Sequence, residues 1–123
     1  MNNKSKKNSI SAFIAVEIVL CLLSVENTSL AGDKSKGETS FSSHLCSSCH
    51  SIGKTGTALT GPNLAGITRR RTEAWLKKWI MHPEQMMGDP AIQEMSIKYP
   101  TPMPNLGVTE AEAEDLIAYL KSR

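Results

Sequence analysis

The sequence lacks a strong imbalance of charge, since 14 basic and 12 acidic side chains leave a formal net charge of +2. This balance gives no electrostatic footprint for nucleic acid. Cysteine is scarce, and the three residues present are too few for a disulfide scaffold. Aromatic residues make up only 5% of the chain, but 40% apolar and 21% charged residues favour a globular domain over a disordered one. A length of 123 residues excludes a multidomain enzyme.

A long hydrophobic run is missing as well. The apolar stretch 10–25 is shorter than the about 20 residues needed to span a bilayer, and it contains Glu17. Three lysines precede the stretch, and a Ser-Leu-Ala triplet ending at Ala31 has the small residues that signal peptidase requires. We therefore predict a signal peptide at 1–31, export to the periplasm and a mature domain at 32–123. The alternative is a retained helix that anchors the protein to the membrane, facing the periplasm.

The two cysteines that remain after this cleavage, Cys46 and Cys49, are followed directly by His50. In an exported protein, Cys-x-x-Cys-His is the attachment signature of c-type haem. The two thiols can form thioethers with the vinyl groups of one porphyrin, and the histidine then ligates the iron. A zinc site would need a fourth ligand such as His44 or His82, and adjacent ligands at 49 and 50 close poorly around a tetrahedral ion. A thioredoxin-like thiol pair would need a βαβ unit that the sequence does not indicate.

Helical periodicity and capping residues predict an all-α domain of about four short helices. The longest loop, residues 51–66, contains four glycines and a proline. Short helices of this kind build little core alone, so we expect a haem among them to supply apolar surface. The first predicted helix carries the apolar stripe Gly37, Phe41 and Leu45. The second begins after the N-cap Thr72, stops at Pro83 and carries Trp75, Leu76, Trp79 and Ile80, and the third begins at Asp89-Pro90 and carries Ile92, Met95 and Tyr99. The last begins with the capping box Thr109 to Glu112 and carries Ala113, Leu116, Ile117 and Leu120.

The sequence resembles the class I (mitochondrial-type) monohaem c-type cytochromes. The resemblance covers about residues 37–121 and is carried by the Cys-x-x-Cys-His pentad, by Gly61-Pro62-Asn63-Leu64, by Met103-Pro104 before the last helix, and by Gly37 and Phe41 with Tyr119. It implies the class I cytochrome c fold, in which helices and loops wrap around one covalently bound haem c. It also implies iron ligation by His50 and Met103, a hydrogen bond from the His50 ring to the Pro62 carbonyl oxygen, and packing of Gly37 and Phe41 against Tyr119.

Met103 stands out among the five methionines of the predicted mature domain because a proline lies on each side of it. The prolines fix φ and remove backbone donors, so the segment can hold a thioether at the iron with little loss of entropy. In class I cytochromes the axial methionine lies in such a loop, shortly before the last helix. Met86 and Met87 are the next candidates, whereas Met95 fits core packing.

Two further features concern polar groups and charge. The arginines at 69–71, with Trp75, Trp79 and Tyr99, are candidate donors to the haem propionates, although the arginines equally fit a solvated face.

The sequence also departs from many family members, because Leu45 is an extra residue before the first cysteine. Basic and acidic side chains are interleaved instead of forming a lysine ring, which argues against strong electrostatic steering towards an acidic partner.

The sequence and the resemblance together predict an electron-transfer protein and not an enzyme. We expect a soluble monomer that carries one electron between periplasmic or membrane-bound redox proteins, with no small-molecule substrate and no nucleic acid as partner. One alternative is a haem-based sensor or ligand-binding protein whose distal methionine, Met103, is weak and displaceable. Another is a cytochrome subunit of a reductase or oxidase, tethered to the membrane by residues 10–25.

Overall fold

The computed structural model describes residues 31–53 and 60–123. Over these residues the chain forms α-helices and two short 3₁₀ turns without any strand, so the prediction of an all-α fold is confirmed. Residues 1–30 of the predicted signal peptide and residues 54–59 of the predicted long loop lie outside the described residues. The helices are α1 (Lys34–Ser43), α2 (Ile67–Arg70), α3 (Glu73–Met81), α4 (Pro90–Lys98) and α5 (Glu110–Lys121), and the 3₁₀ turns cover Cys46–Ser48 and Pro83–Met86.

Helices α1 and α5 pack closely against each other and form the centre of the main core. Gly37 permits this approach, because a Cβ atom there would collide with the backbone oxygen of Asp115 and lie 2.8 Å from Cβ of Tyr119. Phe41 and Tyr119 are both buried, with ring centroids 5.7 Å apart. The predicted packing of Gly37 and Phe41 against Tyr119 is therefore confirmed. The core also contains Leu76, Ile80, Val108, Ala113, Leu116, Ile117 and Leu120.

Asp33 begins α1 and connects it to α5. Its carboxylate accepts hydrogen bonds from the backbone N–H groups of Ser35 and Lys36, at 2.7 and 3.0 Å. These bonds satisfy two of the donors that the start of a helix leaves without backbone partners. The backbone N–H of Asp33 donates to the Asp115 carboxylate at 2.6 Å. The chain is thus bound to α5 before α1 has completed its first turn.

The N-caps predicted from the sequence are present at three helices. Thr72 caps α3 through its side-chain oxygen, which accepts from a backbone N–H in the first turn. Asp89 caps α4 in the same way, accepting from the backbone N–H of Ala91 at 2.8 Å. At the start of α5, Thr109 and Glu112 form the reciprocal capping box. Local sequence signals therefore place the starts of these helices correctly.

Glu112 also connects the start of α5 to the end of α1. Its Oε1 lies 3.2 Å from Nε2 of His44, the C-cap residue of α1. Hydrogen bonds from the backbone and side chain of Thr109, and from His44, lower the pKa of Glu112 to about 2. The carboxylate is therefore ionised at neutral pH and holds the segment before Cys46 against α5.

A smaller hydrophobic cluster lies where α3, the Pro83–Met86 turn and α4 meet. Three buried side chains form it, and three half-buried ones pack against it. Trp75 also packs against the main core and so connects the two, while the small cluster forms the local environment of α4 and of Met103. Its buried members are Trp79, Met86 and Ile92, and the half-buried ones are Trp75, Met95 and Met103.

The prediction that Leu45 continues the apolar stripe of α1 is wrong. Helix α1 ends at Ser43, and Leu45 adopts a left-handed backbone conformation with φ 57°. Its side chain is 68% exposed. The extra residue before the first cysteine is therefore accommodated in the turn after the helix and adds nothing to the core.

We expect Leu45→Gly to stabilise the protein by about 0.5–1 kcal/mol. A left-handed conformation costs a residue with a Cβ about 1–2 kcal/mol, and the greater unfolded-state entropy of glycine offsets part of that gain. The free energy of unfolding from a denaturant titration measures the effect. Leu45→Ala is the control, because it removes the exposed side chain but keeps the Cβ, and we expect it to give no gain. Equal stability of the glycine and alanine variants would contradict the left-handed assignment.

Helix α2 was not predicted, because its four residues carry no local signal. Its N-cap is Gly66 in a left-handed conformation (φ 65°), which provides no side-chain cap. The turn is instead placed by its surroundings, since the backbone N–H of Gly66 donates to the backbone oxygen of Arg123 at 3.3 Å. Among the helices of the described ranges, none has the length and apolar character needed to cross a membrane.

Candidate functional site

The Cys-x-x-Cys-His pentad folds as a short turn directly after α1. The 3₁₀ turn Cys46–Ser48 is closed by the backbone N–H groups of Cys49 and His50, which both donate to the carbonyl oxygen of Cys46, at 3.2 and 2.9 Å. Both cysteines are half-buried residues with free thiols. One turn therefore offers two thiols and an imidazole, whereas a disulfide would have consumed both sulfur atoms.

The two thiols differ in their surroundings. Burial raises the pKa of the Cys46 thiol. The pKa of the Cys49 thiol is lowered, mainly by a hydrogen bond with the Thr60 side chain and also by one with Ser48, whose Oγ lies 3.6 Å from the sulfur. Since the thiolate is the reactive form, Cys49 is the more readily activated nucleophile of the two before attachment. Nothing in the sequence pattern indicates a role for Thr60, because its effect on Cys49 depends on a contact between residues that are not neighbours along the chain.

The His50 ring is oriented by the loop that carries Gly61 and Pro62. Nδ1 of His50 lies 2.8 Å from the carbonyl oxygen of Pro62. A carbonyl oxygen can only accept, so Nδ1 carries the proton and Nε2 keeps its lone pair for a metal. The hydrogen bond implied by the family resemblance is thus present in the structure.

Gly61 allows the loop to pass close to the imidazole. A Cβ atom at this position would lie 2.6 Å from Cε1 and 2.9 Å from Nδ1 of His50. The backbone N–H of Gly61 donates to the carbonyl oxygen of Cys49 at 2.9 Å. Further along, the backbone N–H of Leu64 donates to the carbonyl oxygen of Ser51 at 2.9 Å. Backbone hydrogen bonds on both sides of His50 therefore connect the segment 49–51 to the segment 61–64. No residue larger than glycine fits at 61 without displacing the His50 ring.

Met103 lies half-buried against the smaller hydrophobic cluster, in the segment between α4 and α5. The Asn105 side chain anchors this segment, because its Nδ2 donates to Oε2 of Glu84 at 3.1 Å. Of the alternative methionines, Met86 is buried with 5% exposure and Met87 is 46% exposed. Burial commits Met86 to the cluster, and Met87 faces solvent, so neither has the partly covered position of Met103.

Of the predicted propionate donors, Trp75 has its indole N–H engaged elsewhere in the protein. Nε1 of Trp75 donates to Oδ2 of Asp89 at 3.0 Å, a contact that the sequence did not reveal. Arg70 donates to the carbonyl oxygen of Ala65 at 2.8 Å, and the Arg71 guanidinium lies over the Trp75 ring, 5.2 Å from its centroid. Each guanidinium has five N–H donors, so the arginines have donors left for a propionate. The Trp75 side chain has a single N–H, which Asp89 already accepts.

The histidines offered as zinc ligands each lie next to a carboxylate. His44 is within 3.2 Å of Glu112, and Nδ1 of His82 is 3.7 Å from Glu84. Within residues 31–53 and 60–123, no group of three or more histidine, cysteine and acidic side chains is arranged to hold a metal ion.

The chain matches the family model of cytochrome c over residues 35–123. It is also similar to the cytochrome c domain of a protein from Pseudomonas putida, with 36% identity over 70% of this chain and 85% of that chain and a TM-score of 0.59. The fold is shared with cytochrome c from Rhodothermus marinus, with 21% identity over 98% of this chain and 84% of that chain and a TM-score of 0.64. The chain therefore belongs to the cytochrome c family, and it is a haem c protein with an electron-carrying role.

Proposed function

We propose that this cytochrome c is a soluble, exported monomer that carries single electrons between periplasmic or membrane-bound redox proteins. In this proposal Cys46 and Cys49 hold the haem through thioethers, His50 and Met103 are the axial ligands, and Pro62 orients His50. When bound, the haem iron supplies the one-electron couple. The chain attaches the group, fills the axial positions and excludes other ligands, with no enzymatic reaction of its own.

The hydrogen bond of 2.8 Å from His50 to the Pro62 carbonyl oxygen is the observation that carries the proposal. It fixes the tautomer with Nε2 free, and it raises the basicity of the ring as a ligand. The thiols of Cys46 and Cys49 lie on the same turn and are both free. Two thiols and one oriented imidazole nitrogen form the donor set that a covalently attached iron porphyrin requires, so the residues present fit the group.

The position of Met103 supports its role as the second axial ligand. The residue is half-buried, so it is partly shielded from water but not enclosed in the core. Prolines on both sides restrict the backbone before ligation, which reduces the entropy lost on binding. If His50 and Met103 both ligate the iron of the bound haem, no coordination position would remain for a substrate, which favours an electron carrier over an enzyme.

Production of the full chain with a haem c assembly system tests this function. We expect an exported protein that begins at Gly32 and exceeds the polypeptide mass by one haem. The reduced form should resist carbon monoxide at neutral pH, because both axial positions are filled. Cys46→Ala and Cys49→Ala should each leave a single thioether, seen in the alkaline pyridine spectrum, whereas Ser47→Ala, the matched control between them, should leave both.

Other results would separate the alternatives. Retention of residues 1–31 in the exported protein would support a membrane-tethered subunit. Ready binding of carbon monoxide by the wild type would support a sensor with a displaceable methionine. A wild-type chain without covalent haem, produced alongside a control cytochrome that does mature, would overturn the proposal.

A further inference from the structure

Helix α4 is held to the rest of the domain by few contacts. Ile92 is its one buried residue, and Ile97 is 86% exposed. Within the described part of the chain, the bond from Nε1 of Trp75 to Oδ2 of Asp89, at 3.0 Å, is the only side-chain hydrogen bond that links residues 89–98 to another helix. The attachment of α4 to α3 therefore depends on this bond and on the small cluster around Ile92.

The two carboxylate oxygens of Asp89 have separate partners. Oδ1 accepts the capping hydrogen bond from the Ala91 backbone at 2.8 Å, and Oδ2 accepts from the Trp75 indole. The indole hydrogen bond is the main reason that the pKa of Asp89 lies below its ordinary value, and the nearby positive charge of Arg71 lowers it further. The residue is therefore an ionised carboxylate at neutral pH, and a hydrogen bond to such a group is stronger than one between neutral partners.

The same bond is connected to Met103 through packing. Trp75 stacks on Trp79 with ring centroids 6.1 Å apart, and Trp79 belongs to the small cluster with Ile92. Met103 packs against this cluster. If α4 moves away from α3, Ile92 is withdrawn from the cluster against which Met103 packs.

We propose that Asp89 is a positioning residue for the axial methionine: its bond to Trp75 keeps α4 on α3, and α4 in turn keeps the Met103 segment in place. The inference rests on the proposed ligation by Met103. Breaking the bond increases the fraction of molecules in which Met103 is released. An external ligand that competes with the methionine then binds more tightly, because its apparent affinity is proportional to that fraction.

Asp89→Asn breaks the bond selectively. Asparagine keeps one side-chain oxygen, which can still cap α4, but it presents an NH₂ group where the Trp75 N–H needs an acceptor. Trp75→Phe removes the same bond from the other side and retains the ring. The probe is imidazole, titrated into the oxidised holoprotein while the far-red iron–methionine band is followed. We expect each variant to bind imidazole about tenfold more tightly than wild type, as fits the loss of a hydrogen bond to a charged group.

Three controls make the test specific. Glu94→Gln makes the same acid-to-amide change at an exposed position on α4 and should leave the imidazole affinity unchanged. Phe41→Leu weakens the contact between α1 and α5 and should lower Tm without changing the affinity, which separates release of Met103 from general destabilisation. The double variant Asp89→Asn/Trp75→Phe should bind no more tightly than either single one, because both remove one bond.

The failures of the two ideas are distinguishable. If Asp89→Asn and Trp75→Phe bind imidazole as wild type does while the band is present in all, Asp89 has no positioning role. If all the destabilised variants, including Phe41→Leu, gain affinity in proportion to their loss of stability, Asp89 is merely structural. A wild-type protein with covalent haem but no far-red band would instead contradict Met103 ligation, on which this inference depends.

Discussion

Replacement of Met103 by alanine is expected to abolish the far-red iron–methionine band of the oxidised protein and to let the reduced protein bind carbon monoxide. The reduction potential should fall by on the order of 0.2 V, a fraction of the roughly 0.8 V over which axial ligands tune haem proteins. The direction follows from the ligand, because a soft, neutral thioether favours the reduced iron more than water or a nitrogen ligand does. Absorption spectra and a redox titration measure these changes.

Met87→Ala is the matched control for this experiment. Met87 directly follows Met86, a buried member of the small cluster, but it is itself 46% exposed. Its loss should therefore change neither the spectrum nor the potential. The mass of both variants should still include one haem, since attachment depends on Cys46 and Cys49. Loss of the band in Met87→Ala, with retention in Met103→Ala, would exchange the roles of the two methionines. A histidine-type spectrum in Met103→Ala would show that His44 or His82 replaces the missing ligand.

The parts of this domain that could be predicted are those that local sequence determines. Thr72, Asp89 and Thr109 start their helices where the capping rules place them, because an N-cap hydrogen bond joins residues only two or three positions apart. The attachment turn is equally local, since its two cysteines and His50 lie within five residues. The hydrogen bond between His50 and Pro62 spans twelve positions and was expected only from the resemblance to a known family.

The features that could not be predicted depend on tertiary contacts. Leu45 has the spacing of a buried stripe, yet the end of α1 at Ser43 turns it towards solvent. The pairing of His44 with Glu112 joins residues 68 positions apart. The bond between Trp75 and Asp89 likewise joins two helices. Nothing in the local pattern around Asp89 shows that its second oxygen has a partner, because its role as an N-cap already accounts for an acidic residue there.

Replacement of Gly37 by alanine is expected to destabilise the domain by about 3 kcal/mol, or roughly 15 °C in Tm for a domain of this size. Alanine favours a helix over glycine by about 1 kcal/mol, so local propensity alone predicts the opposite sign. Tertiary packing should dominate, because the added Cβ would collide with the backbone oxygen of Asp115 in α5. A backbone oxygen within a helix cannot rotate away as a flexible side chain can. Relief therefore requires α1 and α5 to separate, with loss of the contact between Phe41 and Tyr119.

Gly88→Ala provides the matched control, since no atom lies within 4 Å of a Cβ built at Gly88 and its φ is not in the left-handed region. That variant should be as stable as wild type or slightly more so, because alanine restricts the unfolded chain. Thermal unfolding of the three proteins, followed by circular dichroism, gives the comparison. If Gly37→Ala were as stable as Gly88→Ala, the two helices would have to lie farther apart than the structure shows. A loss of stability at Gly37 alone would establish that the close approach of α1 and α5, and not glycine content as such, sets the stability of the fold.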